Sequence, residues 1–261
     1  MSARPLVVVT GASSGIGYEL ARELATRGYD LVVTAENEEI ADVAGPLERL
    51  GAQVTAARAD LRRPDEVVRF AELVQATGRP VDVLAINAGV GVGGHFVTGT
   101  VLADQLAVVD LNVRSAVHLA KVLLPAMVDR ARGRVLFTSS VAATLPSEGQ
   151  AVYHASQAFL LSFAQGLREE LKTSGVSVTS LLPGPTATRF FERAGLADTK
   201  IGAGPKDDAA EVAKEAVEAL LAGKDHVVAG SLRNKVQAVA GRVLPDRLLT
   251  AVSRKAVSRK A

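Results

Sequence analysis

Leu6-Val-Val-Val-Thr10-Gly11-Ala12-Ser13-Ser14-Gly15-Ile16-Gly17 reads as a strand, a tight turn and the start of a helix. The β-branched run stops at Thr10, glycines follow at spacings of four and two, and Leu20, Leu24 and Ala25 then mark one helical face. Gly11 suits backbone angles closed to other residues, and Gly15 lets a ligand approach with no Cβ in the way. Gly17 lets the new helix pack closely on the sheet. The unpaired N–H groups and positive dipole end of such a helix suit an anion, here a pyrophosphate. The spacing Thr-Gly-x-x-x-Gly-x-Gly differs from the G-x-G-x-x-G dinucleotide fingerprint, so the strand before and the helix after carry the reading.

Outward from this turn, apolar strand-like runs fall at 6–10, 31–35, 53–57, 81–86, 134–139, 176–182 and 226–229. Helical patterns fill 15–27, 38–50, 65–76, 101–129, 151–173, 207–222 and 232–255. Such alternation predicts βαβ units, right-handed crossovers and a parallel sheet, with ligands outside the carboxyl ends of the strands. No stretch reads as a linker. Aromatics are only 4% of the 261 residues, so Val, Leu and Ala must build the core, as a sheet buried on both faces requires.

There is no Cys, which excludes disulfides, thiol nucleophiles and Cys-ligated metals and agrees with a reducing, cytoplasmic location. No apolar run reaches a membrane span. Met1-Ser-Ala-Arg-Pro5 leads straight into the first strand, so no signal peptide is expected. The net charge of +2 conceals an asymmetry: residues 224–261 carry nine Lys or Arg against two Asp, leaving −5 on the rest. Ala251-Val-Ser-Arg-Lys255 recurs as Ala256-Val-Ser-Arg-Lys260, and a basic C-terminal helix or tail is expected over 231–261. It lacks aromatics for base stacking, so nucleic acid is not an expected partner.

The opening turn resembles the cofactor turn of the short-chain dehydrogenase/reductase family, and further motifs carry the resemblance to about residue 230. It implies a single NAD(P)-binding domain over 1–261: α/β, a Rossmann-type doubly wound sheet of about seven parallel strands, in three α/β/α layers. Gly11, Ser13, Ser14, Gly15, Ile16 and Gly17 would cradle the cofactor. After the second strand, Glu36 can accept hydrogen bonds from ribose hydroxyls and repel a 2′-phosphate. NAD is therefore expected, with NADP the alternative; the plainer reading has Glu36 start a helix cap. The resemblance puts Asp60-Leu61 beside the adenine, Asp60 otherwise being an N-cap. Ile86-Asn87-Ala88-Gly89 stands close to the family's Asn-Asn-Ala-Gly: Asn87 would brace the sheet, and Ala88-Gly89 would let the cofactor lie against the backbone.

The same resemblance implies the chemistry. Asn112 would interrupt the 101–129 helix and hold a water of the proton relay. Ser140 closes the fifth strand, and Tyr153 follows thirteen residues later. Ser140 would hold the substrate carbonyl oxygen and Tyr153 would exchange its proton. Tyr153 and Gln157 share a helical face, and the family has Lys where Gln157 stands. Gln157 can still bond a ribose hydroxyl but cannot stabilise a Tyr153 phenolate. A charge about 5 Å away, at an effective dielectric of about 20, is worth about 3 kcal/mol, or about two pKa units. Slow, reduction-biased chemistry on a carbonyl/alcohol pair is the expectation.

Pro183, Gly184 and Thr186 would lie by the nicotinamide, and 186–204 would form a substrate lid with Gly195, Gly202 and Gly204 as mobile points. Phe190, Phe191 and Leu196 either wall the substrate or pack the lid down. His154 packs at an interface or lines the substrate side, and His95 is a solvated loop residue. No metal is expected. The resemblance implies a homodimer or homotetramer. Gln157 and Glu36 both sit at cofactor-contacting positions, which leaves a second reading open: a repurposed relative with a non-redox or ligand-binding role.

Overall fold

The computed structural model describes residues 4–145, 148–231 and 234. The expected helix at 232–255 and the basic tail lie outside the described residues, Ser231 and Asn234 excepted. Seven parallel strands form one sheet in the order β3-β2-β1-β4-β5-β6-β7. They are β1 (Leu6–Thr10), β2 (Asp30–Ala35), β3 (Val54–Arg58), β4 (Val81–Ile86), β5 (Gly133–Thr138), β6 (Val176–Pro183) and β7 (His226–Ala229). The principal helices are α1 (Gly15–Thr26), α2 (Ala44–Glu48), α3 (Pro64–Ala76), α4 (Leu102–Val109), α5 (Ser115–Asp129) and α6 (Ala151–Glu170), followed by α7 (Phe190–Arg193), α8 (Lys200–Ala203) and α9 (Ala209–Leu221). The doubly wound expectation holds.

Strand alternation divides the core. Leu6 and Val8 of β1, Leu84 and Ile86 of β4, and Val135 and Phe137 of β5 pack under α3, α5 and α6. Their neighbours Val7, Val9, Val83, Ala85 and Leu136 pack on the other face with α1 and α9. Burial on both faces explains the continuous Val/Leu/Ala runs. No helix among the described residues is long and apolar enough to cross a membrane.

Several boundaries differ from expectation. The 38–50 segment is a 3-10 turn, Glu38–Val43, and then the short α2, because Gly45 and Pro46 interrupt regular helix. The helix expected over 101–129 is α4 and α5 joined by a wide π turn, Asp110–Arg114, with Asn112 at its middle. The 186–204 segment, expected as a mobile substrate lid, contains α7 and α8. Gly202 and Gly204 are packing residues there: a Cβ on Gly202 would meet Leu196 O at 1.9 Å, and one on Gly204 would meet Lys200 O at 2.8 Å.

Candidate active site

The strand order reverses between β1 and β4, and the crevice opens at their carboxyl ends. Thr10 joins the two: its Oγ1 accepts the Asn87 N–H at 2.9 Å and the Ala88 N–H at 3.0 Å, while Asn87 Nδ2 donates to Thr10 O at 3.1 Å. Gly11 has φ +68°, and a Cβ there would lie 2.8 Å from Ala88 Cα. A Cβ on Gly17 would lie 2.1 Å from Gly11 O, so Gly17 closes the turn on itself as α1 begins. No side chain caps the N-terminus of α1. Ser13 and Ser14 face a groove shared with Tyr18, Glu39, Asp42 and Arg189.

At the end of β5, Ser140 caps a 3-10 turn, Val141–Thr144, its Oγ accepting the Ala142 N–H at 3.1 Å. Its own proton has a long contact, 3.4 Å, to Pro183 O. The Ser140 hydroxyl stands beside the Tyr153 phenol. Burial pushes that phenol up to about 12, with the neighbouring Ser140 hydroxyl working in the opposite direction. Tyr153 is therefore a neutral acid across the physiological range. Gln157, one turn on, is 4% exposed, and its Oε1 has no hydrogen-bond partner among the described residues. The Ser139 hydroxyl donates to Gln157 O at 2.9 Å and thereby ties α6 to β5.

Asn112, 1% exposed, has its side chain fully engaged by protein. Oδ1 accepts the Val90 N–H at 2.9 Å, and Nδ2 donates to Val90 O and to Ser156 Oγ, each at 2.9 Å. Ser156 in turn donates to Tyr153 O at 2.7 Å. Asn112 thus joins the loop after β4 to the helix that carries Tyr153. The π turn is the local distortion that lets an amide reach out of a helix without an unpaired cost.

Glu36 and Asp60 also meet, through Arg62, which the sequence reading did not single out. Arg62 pairs with Asp60 and, at 2.8 Å, with Glu36. Glu36 caps no helix; Asn37 occupies that N-cap position. Nor is Asp60 the N-cap of α3, a position held by Arg63. Leu61 is buried in the core beside α3. Gly89 stands beside Asn112, 3.5 Å separating the Asn112 Oδ1 from a Cβ placed on it.

Across the groove, Pro183 ends β6, and the Asn234 amide occupies the space a Cβ on Gly184 would need. The buried Thr186 hydroxyl donates to Gly184 O at 3.0 Å. The Thr188 methyl, rather than Thr186, faces the opening turn, 2.8 Å from a Cβ placed on Gly15. Arg189 forms a two-pronged ion pair with Glu39. Phe190 lies against Gly91, its ring 5.2 Å from that of Tyr153, while Phe191 and Leu196 are buried together in a small apolar cluster. Phe190 alone of the three faces Tyr153. His154 bonds Leu145 O through Nδ1, and burial holds its imidazole below the usual range. His95 is exposed, with Glu148 4.0 Å away.

Residues 5–198 match the family of short chain dehydrogenases. An oxidoreductase of Staphylococcus saprophyticus is 32% identical over 217 residues, which are 82% of this chain and 90% of that protein. The NADP-dependent 3-hydroxy acid dehydrogenase YdfG of Salmonella typhi is 31% identical over 179 residues, covering 69% of this chain and 71% of its own. The structure of a short-chain dehydrogenase from Sphingobium yanoikuyae in complex with NADPH aligns at a TM-score of 0.81 and 30% identity, covering 91% of this chain and 93% of that one.

Proposed function

This chain belongs to the short-chain dehydrogenase family, and from that membership we propose an NAD(P)-dependent oxidoreductase that reduces a carbonyl substrate in preference to oxidising the alcohol. The observation that carries this reading is the Ser140–Tyr153 hydroxyl pair, one helical turn from a buried Gln157 whose Oε1 lacks a partner.

The residues present fit a nicotinamide dinucleotide. The uncapped N-terminus of α1 offers N–H groups to a pyrophosphate, and Gly11 keeps the turn close to Ala88. Gln157 Oε1 is a buried acceptor suited to a ribose hydroxyl. Ser13, Ser14, Gly15, Ile16 and Gly17 line the phosphate end; Asn87, Ala88, Gly89, Pro183, Gly184 and Thr186 are assigned to the middle and the nicotinamide. When bound, the nicotinamide supplies or accepts a hydride.

The chain's own residues supply the proton chemistry. Ser140 can turn its loosely held proton from Pro183 O to the substrate oxygen. Tyr153 delivers its proton to that oxygen as negative charge develops there. Asn112 keeps α6 in register with the loop after β4 through Ser156 and Val90; the relay water is assigned to its position. Gln157 adds no charge beside Tyr153, so a phenolate base is scarce at neutral pH, and reduction is the favoured direction.

The proposal extends to one dinucleotide-binding domain, a cytoplasmic location and a homodimer or homotetramer. Leu102, Leu106 and Val109 stand exposed at helical spacing on α4, and Val117 on α5 and Phe159 on α6 are exposed as well. Light scattering at micromolar concentration checks the assembly, and a monomeric mass rejects it. Calorimetric titration with NAD, NADH and NADPH tests the main reading. Micromolar binding of any of them supports it. Failure of all three rejects it and favours the repurposed relative.

A further inference from the structure

The two carboxylates assigned to the adenosine half of the cofactor share one cation. Arg62 donates Nε to Asp60 Oδ1 at 2.8 Å and Nη2 to Asp60 Oδ2 at 2.9 Å, and its backbone N–H also donates to Asp60 Oδ1, at 3.1 Å. The same Nη2 lies 2.8 Å from Glu36 Oε2. The β2–β3 register pairs Ala35 with Arg58, so the chain leaves both strands side by side and residues distant in sequence meet. Arg58 adds to the frame, donating Nε to Glu36 O at 2.9 Å.

The two contacts of Arg62 differ in kind. Asp60 holds the guanidinium with both oxygens and is itself held below the usual carboxylate range, chiefly by that bond. Glu36 makes a single contact between side chains that are 45% and 41% exposed. An ion pair this open is weak and readily exchanged. Asp60 is the anchor; Glu36 is the replaceable partner. The hydrogen bonds and ion pair above use three of the five guanidinium N–H groups, which leaves donors for another anion.

We propose that Arg62 selects the cofactor: it turns its free donors to the 2′-phosphate of NADPH and offsets the charge of Glu36 that would otherwise repel that phosphate. NADH, which lacks the phosphate, binds with or without Arg62. A bare Glu36 repels a 2′-phosphate, and pairing with Arg62 weakens that repulsion. A guanidinium already oriented by Asp60 binds a dianionic phosphate with charge-assisted hydrogen bonds at little ordering cost. The chain therefore accepts both cofactors, although its acidic residue after β2 points to NAD alone. The inference rests on the dinucleotide-binding reading above.

The test is calorimetric titration, at one low salt concentration, of the wild type, Arg62→Gln and Glu36→Gln. The probes are NADH, NADPH, 5′-AMP and adenosine 2′,5′-bisphosphate, the last two isolating the adenosine end. The wild type should bind NADH and NADPH within about tenfold of each other. Arg62→Gln should weaken NADPH and the bisphosphate by about tenfold or more, with NADH and 5′-AMP moving less than about threefold. Glu36→Gln, an independent variant, should strengthen the 2′-phosphorylated probes. An unchanged NADPH-to-NADH ratio in Arg62→Gln, or a wild type that rejects NADPH, overturns the inference and leaves the dinucleotide reading intact. No binding of either dinucleotide overturns both. Unfolding midpoints confirm that each variant is folded.

Discussion

At the β5 and α6 end of the groove, Ser140, Tyr153 and Gln157 have hydrogen-bonding capacity left over within packed protein. At the β2 and β3 end, Glu36, Asp60 and Arg62 are partly exposed and already paired with one another. The first arrangement is costly without a ligand, because a buried acceptor such as Gln157 Oε1 loses its water and gains nothing in return. The second costs little and changes partners easily, because solvent screens it. On the proposed reading, one end holds a reacting group in a single geometry and the other discriminates between ligands by exchanging ion pairs.

The largest effect expected from breaking this contrast is at Tyr153. Tyr153→Phe should lower kcat for carbonyl reduction by about 10³ and leave the calorimetric Kd for the dinucleotide unchanged. A variant within about tenfold of the wild type would show that another group supplies the proton.

Restoring a charge at the buried end comes next. Gln157→Lys should raise alcohol oxidation at neutral pH by about a hundredfold, since it lowers the energy of the phenolate. The pH profile carries the sign. With Tyr153 pushed up to about 12, wild-type oxidation should climb throughout the alkaline range, and reduction should decline only as the tyrosine deprotonates. In Gln157→Lys the climb should shift to lower pH. Oxidation that is flat from neutral to strongly alkaline pH removes Tyr153 as the titrating base.

The smallest effect compares stability at the two ends. Asn112→Ala leaves Val90 N–H, Val90 O and Ser156 Oγ without their partner in a buried place and should cost about 2 kcal/mol or more. Arg62→Gln, at the exposed end, should hardly move the unfolding midpoint. Equal losses in thermal denaturation would mean that the exposed ion pairs hold the fold as firmly as the buried amide does.

Much of this was legible along the chain because the signals are local. The Val-rich runs marked the sheet, since burial on both faces demands apolar side chains on both. The Gly11–Gly17 spacing marked the turn, and the offset from Tyr153 to Gln157 placed both on one face of α6. The resemblance singled out Asn112 and a break in the helix around it, although not the π form that the break takes. Arg62, Thr188 and Arg189 gave no signal: each matters through a partner brought close by strand pairing or by the lid, and no pattern of spacing encodes that. Thr186, chosen for its place after Pro183-Gly184, has its hydroxyl turned to Gly184 O. Similarly, Gly202 looks like a hinge in sequence and proves to be a point of close packing.

By itself, then, the sequence determined the alternating α/β order and the turn at the head of α1, while the residues proposed for the chemistry came from its resemblance to the family. The order and the turn depend on periodicity and backbone stereochemistry, which are properties of neighbouring residues. Only the tertiary structure decided that Gln157 Oε1 would be buried without a partner, that Asn112 would join two elements, and that Glu36 and Asp60 would share Arg62. Desolvation and ion pairing depend on which segments the sheet order and the crossovers bring together, and that is settled only when the whole chain has folded.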